Sequence, residues 1–214
     1  MIGILFDLDG TLLDTLEDLT DAVNYALSQH GYPPRTAREV RSYLGSGTNF
    51  LIRCSVPAGE DHEPVLKTYL PYYKTHSQVK TAPYAGILQA MEVLKSKYSV
   101  AVVSNKLDGV VKDLGAMHFG DTYTLGETSD CPRKPAPDML YKAMKDIGVD
   151  RCIYVGDSEV DILTAKNAGV KCVSVTWGFR DEDMLVENGA EYLCHDPAQL
   201  PGIIDKIVEE HYGK

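Results

Sequence analysis

The stretch Phe6-Asp7-Leu8-Asp9-Gly10-Thr11-Leu12-Leu13-Asp14-Thr15 decides the fold of this chain. It follows an apolar run over residues 2–6, whose length and composition predict a short buried strand. Gly10 permits a sharp turn directly after that strand. Because ligands of open α/β sheets bind beyond the carboxyl ends of the strands, we expect Asp7 and Asp9 to lie in a site rather than in a core.

Asp7 and Asp9 are two residues apart, and unpaired carboxylates at that spacing repel each other unless a cation lies between them. Mg²⁺ is the natural candidate, since it prefers oxygen ligands and often shares them with a phosphate. The stretch therefore predicts a site for a divalent cation such as Mg²⁺.

The bulk composition limits the class of protein. The 214 residues suffice for one large domain or for a core with a small insert. A net charge of −10 argues against nucleic acid as a partner, so an anionic substrate must meet a few local cations. No apolar run approaches the roughly 20 residues that span a bilayer, which argues against a membrane partner. Five cysteines, an odd count, and no basic-then-apolar leader predict a cytoplasmic protein.

The predicted secondary structure of the rest of the chain changes at about residue 80. Between Thr15 and Lys80, apolar residues recur at helical spacing, and no segment resembles a strand. From Pro83 onward, short buried strands alternate with amphipathic helices, which is typical of a parallel, doubly wound sheet. The expected fold is α/β, with a Rossmann-like core over residues 1–15 and 81–214 and a helical cap over residues 16–80. The strands expected after the cap cover residues 99–103, 122–125, 151–155, 171–175 and 192–194.

Two further groups of polar residues lie beside predicted elements. A hydroxyl and a neighbouring backbone N–H at Ser104-Asn105-Lys106 can hold a phosphoryl oxygen, although such residues often only cap a helix. Prolines at 135 and 137 fix the backbone beside Lys134, whose ammonium suits a phosphate or a crowded carboxylate. A lone lysine, however, is most often a solvated surface residue.

A third group, Gly156-Asp157-Ser158-Glu159-Val160-Asp161, again follows a predicted buried strand. Asp157 and Asp161 are four residues apart, so a helix beginning there places both on one face. Acidic residues at a helix N-terminus are also favoured by the helix dipole without any ligand. Since Asp7, Asp9 and Asp157 are all expected at one sheet edge, their mutual repulsion again calls for a cation.

The chain resembles the haloacid dehalogenase-like superfamily of phosphohydrolases over its whole length. Its polar groups match the four motifs of that superfamily in order, as Asp7-x-Asp9-Gly10-Thr11, Ser104, Lys134 and Gly156-Asp157-Ser158-x-x-Asp161. Within the superfamily it is most similar to the phosphoglycolate phosphatases, through the first motif, residues 103–106, residues 134–137 and Trp177-Gly178-Phe179. The second motif often has Thr, and Ser104 keeps the hydroxyl.

The resemblance implies a two-step phosphatase mechanism. Asp7 would attack phosphorus and carry an aspartyl-phosphate. Asp9 would act as the general acid and then as the general base. Ser104, Asn105 and Lys134 would hold the transferring oxygens. The residues implied to bind the substrate are Gly10, Thr11, Asn105, Gly47 and Thr48.

The resemblance also implies Mg²⁺ as the cofactor. The ion would be bound by Asp7, by the backbone carbonyl of Asp9 and by Asp157. Asp161 and Ser158 would support these ligands without binding the metal directly.

The cap would close over the site and exclude water. We expect hinges near Thr15 and at residues 80–83, and we expect the loop of residues 45–48 to face the substrate. Thr48, Arg41 or Arg53 would suit a substrate carboxylate, although a solvated helix face is the more common position for either arginine. The tyrosines of the cap are expected in packing rather than around a ligand.

The expected function is hydrolysis of a small phosphorylated metabolite, with phosphoglycolate as the first candidate. A phosphomutase or a pyrophosphatase with the same core chemistry remains open, as do sugar phosphates and nucleoside monophosphates as substrates. Asp9 argues against dehalogenation and phosphonate cleavage, because relatives with those activities lack the second aspartate. The intact motif residues argue against a non-catalytic scaffold. The sequence leaves monomer and homodimer open.

Overall fold

A computed structural model describes residues 1–213 of the chain. Its strands are β1 Ile2–Phe6, β2 Leu13–Asp14, β3 Ala82–Pro83, β4 Ser99–Leu107, β5 Tyr123–Glu127, β6 Arg151–Gly156, β7 Lys171–Val175 and β8 Tyr192–Cys194. Its α-helices are α1 Leu16–Gln29, α2 Ala37–Tyr43, α3 Thr48–Ser55, α4 Glu63–His76, α5 Ile87–Lys95, α6 Asp108–Phe119, α7 Asp138–Asp146, α8 Glu159–Ala168, α9 Glu182–Glu187 and α10 Leu200–His211.

Six strands form one parallel sheet in the order β5-β4-β1-β6-β7-β8, with β1 between β4 and β6. Successive side chains of a strand point to opposite faces. Accordingly, Ile4 and Phe6 pack in the apolar cluster that contains α5, α6 and α10, whereas Leu5 packs in the cluster that contains α7 and much of β6. Helices therefore cover both faces, and the predicted doubly wound α/β fold is confirmed.

The helices α1 to α4, called here the helical insert, occupy the chain between β2 and β3. β2 and β3 pair with each other as a separate antiparallel two-stranded sheet, so the two ends of the helical insert lie side by side. Asp18 holds the end of the helical insert against α1, because its buried carboxylate accepts hydrogen bonds from the backbone N–H groups of Lys80 and Thr81. The apolar interior runs without a break from β1 to α4. The division into a core and a cap over residues 16–80 stays a prediction.

β4 is longer than the sequence predicts. The strand was expected to end at residue 103, but β4 resumes pairing with β5 at Leu107 after an irregularity that follows Val103. The group Ser104-Asn105-Lys106 therefore lies within the strand and not after it. α6 accordingly begins at Asp108, directly after β4, and ends at Phe119.

Short elements were also missed by the sequence analysis. β2 and β3 have two residues each and α9 has six, which is too short for an apolar period to show. None of the helices within residues 1–213 is long and apolar enough to cross a membrane.

Candidate active site

Asp7 lies directly after β1, where its backbone N–H donates to Val155 O and extends the pairing with β6. Its side chain is buried, and its Oδ1 lies 2.9 Å from Lys134 Nζ. That approach is an ion pair without a well-directed hydrogen bond, so Oδ1 is left without a hydrogen-bond donor. Burial raises the pKa of Asp7 to about 7, in spite of the opposing charge of Lys134.

Lys134 is held among three acceptors. Besides its ion pair with Asp7, its Nζ donates to Asp161 Oδ1 at 2.8 Å and to Tyr154 Oη at 2.8 Å. Its side chain is 2% exposed, and burial works against the charge, but Asp161 and Asp7 together raise the pKa of Lys134 above its usual range. The ammonium is therefore kept protonated and fixed in place. Tyr154 was not predicted, because a tyrosine within a buried apolar strand gives no local signal.

Asp157 follows β6 and is also buried. Its Oδ2 accepts a hydrogen bond of 2.6 Å from the backbone N–H of Phe179, and its Oδ1 accepts one of 3.3 Å from the Thr11 hydroxyl. Burial first, and then the charges of Asp161 and Asp7, raise the pKa of Asp157 well above its usual range. A nearby cation would reverse this shift, since it favours the ionised carboxylate.

Each carboxylate oxygen of Asp161 accepts two hydrogen bonds. Its Oδ2 accepts from the backbone N–H and the hydroxyl of Ser158, at 3.1 and 2.6 Å, while its Oδ1 accepts from Lys134 and Tyr154. The bonds to Ser158 form the capping box of α8, so the same carboxylate starts the helix and holds the lysine.

The three buried aspartates form a cluster that fits a divalent cation. Asp7, Asp157 and Asp161 each offer a carboxylate oxygen, and these oxygens lie within 4.8 Å of one another. Lys134 alone does not neutralise three carboxylates, and Asp7 Oδ1 has no hydrogen-bond donor. Because the donors of Asp161 are already complete, Asp7 and Asp157 are the members free to hold the ion. An all-oxygen set of this kind suits Mg²⁺.

The Asp9 side chain lies outside that cluster. Its Oδ1 accepts hydrogen bonds from Thr15 Oγ1 at 2.7 Å and from Lys106 Nζ at 2.6 Å. The predicted metal contact through the Asp9 backbone carbonyl stays a prediction.

Ser104 and Asn105 lie at the edge of the sheet beside Asp7. Both residues are buried, and Ser104 Oγ accepts a hydrogen bond from the backbone N–H of Lys106. The Asn105 amide donates to Gly45 O and Lys134 O, and its oxygen accepts the Lys134 N–H. Its side chain thus joins the helical insert to the Lys134 loop.

A cavity of about 50 Å³ lies between the helical insert and this edge of the sheet. Gly47 and Thr48, two of the residues expected to bind the substrate, line this cavity. Within residues 1–213, Gly10, Thr11 and Asp161 are not among its lining residues. The remaining lining residues are Asp7, Asp9, Leu19, Leu44, Gly45, Leu51, Tyr69, Tyr73, Ser104, Asn105, Lys106, Lys134, Asp157, Ser158, Phe179 and Arg180. Tyr69 and Tyr73 are thus both packing residues and cavity walls.

Arginine contacts join the helical insert to the sheet. Arg180, which the sequence analysis missed, is paired with Glu159 at 2.7 Å and donates to the carbonyls of Arg41 and Leu44 at the end of α2. Arg41 donates in turn to Gly178 O and Asp181. Arg41 therefore lies in this contact rather than in the cavity wall. Arg53 lies over the Phe50 ring.

Comparisons with known proteins agree with this geometry. The model of the family described as haloacid dehalogenase-like hydrolase matches residues 4–175. A phosphoglycolate phosphatase of Neisseria meningitidis is 34% identical over 219 residues, covering 96% of this chain and 93% of the relative. A crystal structure from Lactobacillus delbrueckii subsp. bulgaricus, provisionally named a phosphoglycolate phosphatase, superposes with a TM-score of 0.87 at 36% identity, over 94% of this chain and 97% of the other. One from Haemophilus somnus, named in the same provisional way, gives 0.85 at 26%, over 95% and 97%.

Proposed function

The chain belongs to the haloacid dehalogenase-like hydrolase family and is a phosphatase of that family, and on this premise we propose that it hydrolyses small phosphate monoesters through an aspartyl-phosphate on Asp7. The observation that carries the proposal is Asp7 Oδ1, a buried carboxylate oxygen in the wall of the cavity that has no hydrogen-bond donor. An oxygen without a donor keeps its lone pairs for an electrophile. Phosphoglycolate is our first substrate candidate, since the relatives bear that name and the cavity is small.

The first step would displace the alcohol. Asp7 Oδ1 attacks phosphorus, and Asp9 gives a proton to the departing oxygen, which contributes roughly 10²–10⁴-fold. Lys134 is held beside Asp7, where its fixed charge meets the transferring oxygens together with Ser104. In the second step Asp9 takes a proton from the attacking water, and Asp7 is released.

Mg²⁺ would be held by Asp7 and Asp157, where it would neutralise the repulsion between the carboxylate and the phosphate. Both carboxylates are buried, Asp7 Oδ1 has no hydrogen-bond donor, and burial together with the charges of Asp161 and Asp7 raises the pKa of Asp157, which supports a cation at this position. The five cysteines are free thiols, in keeping with the cytoplasmic location that we propose.

Phosphate release across a panel of esters, with and without Mg²⁺, tests the proposal. The panel contains phosphoglycolate, hexose phosphates, nucleoside monophosphates and pyrophosphate, so that a pyrophosphatase is detected directly and a mutase by isomerised sugar phosphate. Asp7→Asn should abolish release, and the wild type should yield an acid-stable, base-labile phosphoprotein. Asp14→Asn, an exposed aspartate of the same stretch, is the matched control. Substantial turnover by Asp7→Asn would overturn the proposal.

A further inference from the structure

Lys106 is a buried cation that belongs to none of the four superfamily motifs and has no role in the proposed mechanism. Its side chain is 4% exposed and lines the cavity. Its Nζ lies 2.6 Å from Asp9 Oδ1 and 4.9 Å from the centre of the Tyr73 ring, so it stands between the sheet edge and α4 of the helical insert. Within residues 1–213, Nζ donates a hydrogen bond only to Asp9, and an ammonium has three hydrogens to give.

The other basic side chains in the cavity wall are engaged more fully by protein groups. Lys134 Nζ donates to Asp161 and Tyr154 and lies 2.9 Å from Asp7 Oδ1. Arg180 donates four hydrogen bonds, to Glu159 and to two carbonyls of the helical insert. In the described part of the chain, Lys106 is therefore the cavity cation with the largest share of its hydrogens left for a ligand.

The wall beside Lys106 carries a second group without a partner. The Tyr73 hydroxyl is buried and makes no hydrogen bond, although the rest of the ring packs 5.2 Å from the Tyr69 ring. Buried polar groups are rarely left unpaired, so an orphaned hydroxyl in a cavity wall calls for a ligand oxygen or a water. Because Lys106 Nζ lies over the Tyr73 ring, its charge and this hydroxyl belong to neighbouring side chains of the cavity wall, and such a pair of donors suits a carboxylate.

We propose that Lys106 and Tyr73 bind a carboxylate on the leaving alcohol, so that the preferred substrates are phosphate esters of short 2-hydroxy acids. The inference rests on the proposed function, in which Asp9 protonates the bridging oxygen. The leaving alcohol then lies against Asp9, and the carboxylate of a 2-hydroxy acid is attached directly to the carbon that bears this oxygen. Lys106 Nζ, 2.6 Å from Asp9, lies within reach of that group.

Two esters with the same number of carbon atoms separate this role from a mere support of Asp9. One is 2-phosphoglycolate, and the other is 2-hydroxyethyl phosphate, which has an alcohol in place of the carboxylate. For Lys106→Met we expect kcat/KM for 2-phosphoglycolate to fall about 10- to 100-fold, as for loss of a charged hydrogen bond, with a much smaller change for 2-hydroxyethyl phosphate. Lys112→Met, at an exposed lysine of α6, is the matched control and should change neither value.

Tyr73→Phe removes only the unpartnered hydroxyl and leaves the ring in place, so it tests the subsite without risk to the fold. It should lower the preference for the carboxylate ester and leave the neutral ester unchanged. If Lys106→Met reduced both esters equally, Lys106 would act through Asp9 and the inference would be wrong while the phosphatase stood. If the wild type released phosphate from neither ester, the proposed function itself would fail, and the subsite with it.

Discussion

Gly178 packs directly against Asp157, and a methyl group on Gly178 would collide with the Asp157 side chain and with the carbonyl of Gly10. The loop after β7 therefore presses on one of the two carboxylates that we assign to the metal. The same loop supplies the Phe179 N–H that Asp157 accepts. Two residues far from Asp157 in the sequence thus determine where its oxygens lie.

Gly178→Ala should displace Asp157 and weaken the metal site. We expect the Mg²⁺ concentration for half-maximal activity to rise about 10- to 100-fold, as for loss of a ligand's supporting contacts. Overpacking should also lower the free energy of unfolding by about 1–3 kcal/mol. Metal titration of activity and thermal unfolding measure both effects. Gly202→Ala is the control, since a Cβ there meets nothing within 4 Å. An unchanged Mg²⁺ requirement would mean that Asp157 does not hold the ion.

The metal-free protein should lose stability as the pH rises through the range that Asp7 titrates. The pKa of Asp7 is raised from 3.8 to about 7, so between these values the native state binds a proton that the unfolded state has released. The contribution of Asp7 to stability therefore falls as the pH rises from about 4 to about 7 and does not change further above that. Urea unfolding in a chelator, between pH 4 and pH 8, gives the slope.

Asp7→Asn should reduce that slope, while Asp14→Asn should retain it. Part of the slope should survive in Asp7→Asn because burial also raises the pKa of Asp157. Saturating Mg²⁺ should flatten the profile of the wild type, since the ion favours both carboxylates in their ionised form. A slope in the wild type that Asp7→Asn left unaltered would show that Asp7 is ionised in the native state at low pH.

Tyr154→Phe should leave Lys134 with one acceptor fewer and free to move. We expect kcat to fall about three- to tenfold with little change in KM, and stability to fall by about 1 kcal/mol. Steady-state kinetics on the best substrate of the panel measure the split. Tyr141→Phe, at a half-exposed tyrosine of α7, is the matched control. If kcat did not change, the two aspartates alone would suffice to hold the lysine.

Arg180→Met should loosen the contact between the helical insert and the sheet. The change leaves two carbonyls at the end of α2 without a donor and Glu159 without its partner. Limited proteolysis at the linkers near residues 15 and 81 should become faster, and KM should rise because the cavity loses a wall. Arg38→Met, an exposed arginine of α2, serves for comparison. Equal proteolysis rates in the two variants would argue against a role for Arg180 in holding the insert.

The sequence predicted the elements whose signal is local. β1, β6 and β7 are buried apolar runs, and each was placed to within a residue or two. The capping box of α2, from Thr36 to Glu39, is likewise a short-range pattern that two residues three positions apart encode. Because parallel strands end at one edge, the approach of Asp7 to Asp157 could also be expected from their positions after strands.

Contacts between distant parts of the chain could not be predicted in this way. Arg180 meets Leu44, and Tyr154 meets Lys134, through the tertiary fold alone, and neither residue has a neighbour in sequence that marks it. The length of β4 likewise depends on β5, which resumes pairing only at Leu107. Side-chain partners of this kind follow from packing, which a local pattern does not encode.

The pairing of β2 with β3 gives the chain a modular architecture. Leu13 lies opposite Pro83 and Asp14 opposite Ala82. The whole helical insert is therefore one long loop whose two ends are held together by the pairing of β2 with β3. Closing a longer loop costs only slightly more entropy than closing a shorter one. A hairpin turn, or an unrelated domain of another size, can therefore be spliced between Asp14 and Ala82 without changing the connectivity of the sheet, which makes this junction a natural point of exchange for protein engineering.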